Sequence, residues 1–233
     1  RTVYGAAPNT PNLNNLSAAF DPIAKRFSLN CSIHDQATKP KVLILVSKPG
    51  HCLNDLLFRT TTGALDIDVV GIVSNHPDQK RLAEFYGLDY HHLPITPETK
   101  REQEAQILDI VERSGAELVV LARYMQILTP EMCAALAGHC INIHHSFLPG
   151  FKGAKPYHQA HTRGVKLIGA TAHYVTPNLD EGPIIEQETS RVSHANAPED
   201  LERIGSDLES VVLARALRFH VQQRVLIHGN RTV

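Results

Sequence analysis

From Lys41 onward the chain alternates between two hydrophobic rhythms. Strand-like runs, most of them strongly apolar, stand at residues 42–46, 67–73, 90–95, 118–122 and 140–143. Between them, at 54–60, 78–86, 102–113 and 130–136, apolar residues recur at helical spacing with polar residues in the gaps. A strand that is apolar at successive positions has no face for water. Such runs alternating with helices therefore predict a parallel sheet covered on both faces. After Pro156 the rhythm changes: a short helix, strands over 167–175 and 183–189, and a long helix from about 197 to 223. The two late strands are expected to extend the sheet edge in antiparallel fashion. The fold class is α/β, a mostly parallel sheet with helices on both faces.

The first 40 residues differ. Asn9 to Asn15 is rich in turn formers. Leu16, Ala19, Phe20, Ile23 and Phe27 share one face of a predicted helix, residues 28–33 read as a strand, and 35–40 as a linker. One helix and one strand cannot bury a core alone. This piece is expected to pack on something further, and its strand edge favours a homo-oligomer.

Composition narrows the partners. With 23 basic against 24 acidic side chains, the chain has no general pull toward nucleic acid or a membrane surface. No apolar run approaches the length of a membrane helix, and no signal peptide is seen. The four cysteines form no C-x-x-C pair, which points to a reducing, cytoplasmic compartment. The first residue is Arg1, so the N-terminus is expected to be incomplete or processed. The turn after the first strand, Ser47-Lys48-Pro49-Gly50-His51-Cys52-Leu53, has one glycine and a proline without an N–H. It argues against a dinucleotide or P-loop nucleotide.

Candidate chemistry lies in two later segments. Asn142 and His144 stand two apart at a strand end, so their side chains face the same way. Asp180 lies in a loop from Thr176 to Pro183, stiffened by two prolines and a glycine. If the loop folds back over the fifth strand, an amide, an imidazole and a carboxylate converge. Asn142 and His144 can then stabilise an oxyanion, and His144 or Asp180 can act as general base. No serine or cysteine nucleophile has an evident histidine partner. His144, His145, His158 and His161 suggest a metal only weakly, since no ordered ligand set appears; no metal is expected. His158 and His161 read as a solvated helix face, and His173 as a neighbour of Asp180.

Taken together, Asn142-Ile143-His144 with Ser146-Phe147-Leu148-Pro149, and Asp180-Glu181-Gly182-Pro183, resemble the catalytic signature of the folate-dependent formyltransferase and formyl-hydrolase superfamily. The resemblance covers about residues 41–230 and implies its Rossmann-like formyltransferase fold. It implies catalytic roles for Asn142, His144 and Asp180. It also implies folate binding by Arg123, Tyr124, Met125, Gln126, Ile127 and Leu128, and by the loop residues Thr176, Pro177, Asn178 and Leu179. His144 to Phe147, Phe151 to His158 and Ser47 to Asp55 look most like the branch that hydrolyses 10-formyltetrahydrofolate to tetrahydrofolate and formate, which would serve purine synthesis and one-carbon balance. The branch that passes the formyl group to glycinamide ribonucleotide carries a glycine-rich first turn for the acceptor's phosphate; here that turn has only Gly50. Gln126 stands where that branch often places an arginine. The folate is substrate, and no cofactor is implied. The hydrolase branch carries an N-terminal ACT domain, and residues 1–36 resemble its last part, leaving 37–233 as the catalytic domain. Formyl transfer to a phosphorylated amine, or a folate-binding module without turnover, stays open. Lys152 and Lys155 are candidates for meeting a glutamate tail.

Overall fold

A computed structural model of the protein describes residues 2–5, 10–150 and 156–233. The chain divides into two compact units, Arg1–Lys39 and Pro40–Val233. The first contains helix α1 (Leu13–Arg26), started by Asn12, whose side chain accepts from the Asn15 amide at 3.0 Å. The strand expected over residues 28–33 does not form: among the described residues of this unit no second strand exists to share a ladder.

The second unit is built on one seven-stranded sheet. Its strands are β1 (Lys41–Val46), β2 (Asp68–Ser74), β3 (Tyr90–His92), β4 (Leu118–Leu121), β5 (Cys140–His144), β6 (Leu167–Tyr174) and β7 (Ile184–Arg191), in the spatial order β3-β2-β1-β4-β5-β6-β7. Neighbouring pairs among β1–β5 are parallel; β6 runs antiparallel to β5, and β7 to β6, as the changed rhythm predicted. The helices are α2 (His51–Thr61), α3 (Lys80–Phe85), α4 (Lys100–Ser114), α5 (Pro130–Ala135), α6 (Pro156–Arg163) and α7 (Pro198–Val221). No described helix is long and apolar enough to cross a membrane.

Strand β1 shows why both faces are covered. Val42, Ile44 and Val46 point into one core with Leu53 and Leu56 of α2 and Val212 and Leu213 of α7. Leu43 and Leu45 point into the other, with Ile107 and Ile110 of α4. All five strand residues are fully buried, which accounts for the unbroken apolar run.

Some details of the elements differ from expectation. Helix α2 begins at His51 rather than 54, because the Gly50 carbonyl accepts from the Asn54 amide at 2.8 Å. Strand β3 stops at His92, two residues before Pro94, which has no N–H to continue the ladder. A short hairpin, β8 (Ile227–His228) with β9 (Arg231–Thr232), closes the chain and was not foreseen. Gly229 takes its turn at φ 61°, a backbone setting that glycine adopts without a Cβ clash.

β1 has β2 on one side and β4 on the other, so the chain switches direction across the sheet between β1 and β4. The crevice at the carboxyl ends of such strands is where open α/β sheets hold ligands. The strap from β4 to α5 is pinned there. The Met125 amide donates to Ser47 Oγ at 2.9 Å, the Thr129 amide to Glu104 Oε1 at 2.9 Å, and Gln103 Nε2 to the Tyr124 hydroxyl at 2.9 Å.

Candidate active site

At the carboxyl end of β5, Asn142 and His144 line a cavity of about 520 Å³. The antiparallel register of β6 sets His173 directly across from Asn142. His173 Nδ1 lies 2.9 Å from the Tyr174 carbonyl oxygen, and its Nε2 lies 3.2 Å from the Asn142 amide nitrogen. A carbonyl can only accept, so Nδ1 carries the proton and Nε2 accepts from Asn142. Burial lowers the His173 pKa from its ordinary 6.5 and outweighs the opposing pulls of the Tyr174 carbonyl and Asp180. The ring is therefore neutral near pH 7. One N–H of Asn142 is committed to it, and the other remains for the cavity.

Asp180 arrives on the loop between β6 and β7. Its ends are tied to the sheet: the Val175 amide donates to the Cys140 carbonyl at 2.9 Å, and the Tyr174 amide to the Pro183 carbonyl at 2.9 Å. The Asn178 carbonyl accepts from Thr176 Oγ1 at 3.1 Å and from the Glu181 amide at 3.2 Å. Gly182 is required by space, since a Cβ there would stand 1.8 Å from the Tyr174 carbonyl oxygen. Asp180 itself sits at φ 57°, in the left-handed region that non-glycine residues seldom occupy. The loop thus brings Asp180 Oδ1 to 3.3 Å from His144 Nδ1 and 3.8 Å from His173 Nε2. Burial works to raise the Asp180 pKa. The hydrogen bond and charge of His144, with the charges of His173 and His145, more than reverse this and hold it below 3.8. With Nδ1 engaged, His144 Nε2 is buried and has no hydrogen-bond partner. The three groups named from sequence converge, and His173 joins them.

Of the expected folate residues, Arg123, Tyr124, Met125, Gln126, Ile127, Leu128, Thr176, Pro177 and Leu179 line the same cavity. Asn178 does not; its carbonyl holds the loop together. Met125, Ile127 and Leu179 are each more than half exposed and give the cavity apolar surface to offer a ring system. Lys152 and Lys155, like most of the 151–158 segment, lie outside the described residues.

Sequence reasoning missed a second network beside the cavity. Glu209, 1% exposed on α7, accepts from His51 Nε2 at 2.7 Å and from the Tyr157 hydroxyl at 2.7 Å, with Arg123 Nε 3.3 Å away. Burial pushes its pKa up, but His51, Arg123 and Tyr157 prevail and keep it below 4.5. A readable signal existed: Glu209 falls four residues before Leu213 and eight before Leu217, on the buried stripe of α7. A charge there needs partners. Among the described residues, His51, Cys52 and Glu209 bring three metal-type ligand atoms within 4.8 Å of one another. Both Glu209 oxygens already have donors, a guanidinium stands beside them, and burial drives the Cys52 thiol pKa up so that its sulfur stays protonated. The set fits a hydrogen-bond network better than a metal centre. His158 and His161 are exposed on α6, with His158 Nε2 3.5 Å from Glu202.

This fold, with amide, imidazole and carboxylate around a cavity at the strand ends, defines a class that comparison identifies. The formyl transferase family profile matches residues 40–217. Formyltetrahydrofolate deformylase of Corynebacterium sp. (strain P-1) is 52% identical over 229 residues, covering 98% of this chain and 80% of that protein. The deformylase of Bacillus subtilis is 44% identical over 220 residues, 94% of this chain and 73% of that protein. A crystal structure of formyltetrahydrofolate deformylase from Burkholderia mallei superposes with a TM-score of 0.92 at 60% identity, over 97% of this chain and 81% of that one. Glycinamide ribonucleotide transformylase 1 from Symbiobacterium toebii shares the fold at a TM-score of 0.79 and 29% identity, over 88% of this chain and 97% of that one. The chain belongs to the formyl transferase family, on its formyltetrahydrofolate deformylase branch.

Proposed function

We propose that this protein hydrolyses 10-formyltetrahydrofolate to tetrahydrofolate and formate, with Asn142, His144 and Asp180 as catalytic residues. The pterin lies against the strap from Tyr124 to Leu128 and the loop from Thr176 to Leu179. Water attacks the formyl carbon, and negative charge builds on the formyl oxygen. The free N–H of Asn142 and protonated Nε2 of His144 receive that oxyanion; one such donor is typically worth roughly 10²–10³ in kcat. Asp180 Oδ1 holds the imidazole through Nδ1, so that Nε2 and no other ring atom faces the substrate. The second Asp180 oxygen orients the water and takes its proton. The folate nitrogen leaves with a proton relayed through His144. These steps use side chains and water alone and call for no cofactor.

The choice of water over an amine acceptor rests on the first turn. Gln79 fills the space over Gly50: a Cβ on that glycine would stand 2.3 Å from Gln79 Oε1, while Gln79 Nε2 donates to the Lys48 carbonyl at 2.6 Å. Pro49 offers no N–H. A phosphate cradle needs room for an anion against bare backbone amides, and here a carboxamide packs against Gly50. Formate release by the purified protein tests the reading. Full turnover is expected without any amine. Turnover only after glycinamide ribonucleotide is added assigns transfer instead, and tight folate binding with no product assigns a binding module.

The first unit exposes Val3, Tyr4, Ile23, Phe27 and Leu29. That apolar surface supports assembly into a homo-oligomer through an ACT-like N-terminal region. Free, buried thiols at Cys52, Cys133 and Cys140 support work in a reducing cytoplasm.

A further inference from the structure

We propose that Arg123 binds the formate carboxylate as it forms, giving this site a product-anion pocket beside the hydrolytic trio. The proposal rests on the hydrolytic reading above. Arg123 lines the same cavity as His144. Strands β4 and β5 are parallel with Leu121 opposite Asn142, and Arg123 follows two residues past that last pair, where the strap leaves β4. Its backbone holds φ 64°, a left-handed setting in which glycine would be unstrained. Among the cavity residues, Asp180 is the other non-glycine held this way. Such strain persists where the surroundings need a particular side chain.

The guanidinium is under-used by its visible partner. Glu209 Oε2 already accepts from His51 and Oε1 from Tyr157, and Arg123 Nε stands 3.3 Å off. Nε and Nη1 of Arg123 are buried with no hydrogen-bond partner, as is His144 Nε2. A counter-ion serving Glu209 alone would turn its fork to a bidentate contact. These donors stay open, as does the catalytic imidazole nitrogen.

Hydrolysis supplies an anion to fill them. The water oxygen bonds to the formyl carbon, and the carbon–nitrogen bond breaks with its electron pair going to the folate nitrogen. One water proton ends on that nitrogen. The other leaves to solvent, so that the product is HCOO⁻. The former formyl oxygen faces Asn142 and His144, while the oxygen from water emerges beside the Asp180 carboxylate. A fixed cation offsets that like-charge repulsion. Transfer to an amine would yield a neutral formamide and make no such demand.

Product inhibition of the purified full chain tests this. Formate and tetrahydrofolate are each titrated against 10-formyltetrahydrofolate in the unaltered protein, in Arg123→Met, and in the paired Arg123→Met/Glu209→Gln. The paired variant removes both buried charges, so the constant is read in a folded protein even where the single change unfolds it. The formate inhibition constant is expected to rise roughly tenfold or more in the paired variant, with the tetrahydrofolate constant within about twofold. Arg123→Lys should recover part of the formate affinity. An unchanged formate constant in an active paired variant overturns the assignment and leaves hydrolysis standing. So do equal shifts in both constants, which would place Arg123 on the folate. Absence of formate release from the unaltered protein overturns hydrolysis itself, and the assignment with it.

Discussion

Asp180 and Glu209 are both carboxylates near the strand ends, each facing a histidine and each held below its ordinary pKa by it and its neighbours. They differ in what is left over. Glu209 sits on a regular helix, and donors from His51 and Tyr157 meet its two oxygens. Asp180 sits on a left-handed loop residue, and the imidazole it grips keeps Nε2 unpaired against a cavity. In the first, both carboxylate oxygens are met, as the buried interior requires, and only Arg123 keeps donors to spare. The second is unfinished, and an unmet donor toward a cavity is what a substrate completes. On the proposed mechanism, chemistry is located by the missing hydrogen bond more than by the charged residue.

Asp180→Asn should break the comparison most sharply. The amide keeps the size of the side chain and loses the base. Formate release should fall by roughly 10²–10⁴ in kcat. Folate affinity and melting temperature should stay near those of the unaltered protein. Full rate in this variant would sink the mechanism. The pH profile gives the sign: the folded pKa lies below 3.8, so the working carboxylate is present above that value and is lost as pH falls through the lowered one.

Glu209→Ala should reverse the pattern, damaging stability first. It leaves the Arg123 guanidinium buried beside a cavity where its ion partner stood. Breaking a buried pair in this way typically costs about 3–5 kcal/mol, readable as a lower denaturant midpoint. Glu209 has a folded pKa below its ordinary 4.5, so its contribution is present above pH 4.5 and is lost as pH falls through the folded value. The gap between the unaltered and Ala proteins should therefore narrow in acid. An equal gap at all pH values would assign the effect to packing.

The sequence made the two centres unequally legible, for a physical reason. Strands apolar throughout, with helices between them, imply covered parallel strands, and a change of rhythm after Pro156 marked the antiparallel edge. Asn142 and His144 were readable because two residues on one strand must face alike. Asp180 was readable as a carboxylate in a stiffened loop, although its distance from His144 depends on the register of β5 on β6. The burial of Glu209 was readable from the stripe of α7, but the partners of its network were not. That network joins residues 51, 123, 157 and 209, whose meeting depends on how α2, α6 and α7 pack, and spacing along a chain carries no record of that. Likewise the Gln79 carboxamide over Gly50 comes from a helix-start residue with no local signature.

The smallest expected effect concerns His173, which belongs to the unfinished network without touching the reacting atoms. It accepts one Asn142 N–H, and on the proposed mechanism this aims the other at the formyl oxygen. His173→Leu removes the acceptor, and kcat should fall about tenfold with KM little changed, the size of one lost hydrogen bond. His173→Gln can offer a carbonyl oxygen in nearly the same place and should recover most of that rate. The pH dependence distinguishes aiming from mere packing. Protonation of His173 would turn Nε2 from acceptor into donor and set it against the Asn142 amide. Since burial lowers the pKa below 6.5, that loss should enter only as pH falls below this ordinary histidine value. The Gln variant has nothing to protonate there, so its acid limb should retain only the Asp180 step. A Gln variant with the unaltered protein's pH profile would show that His173 does not aim Asn142.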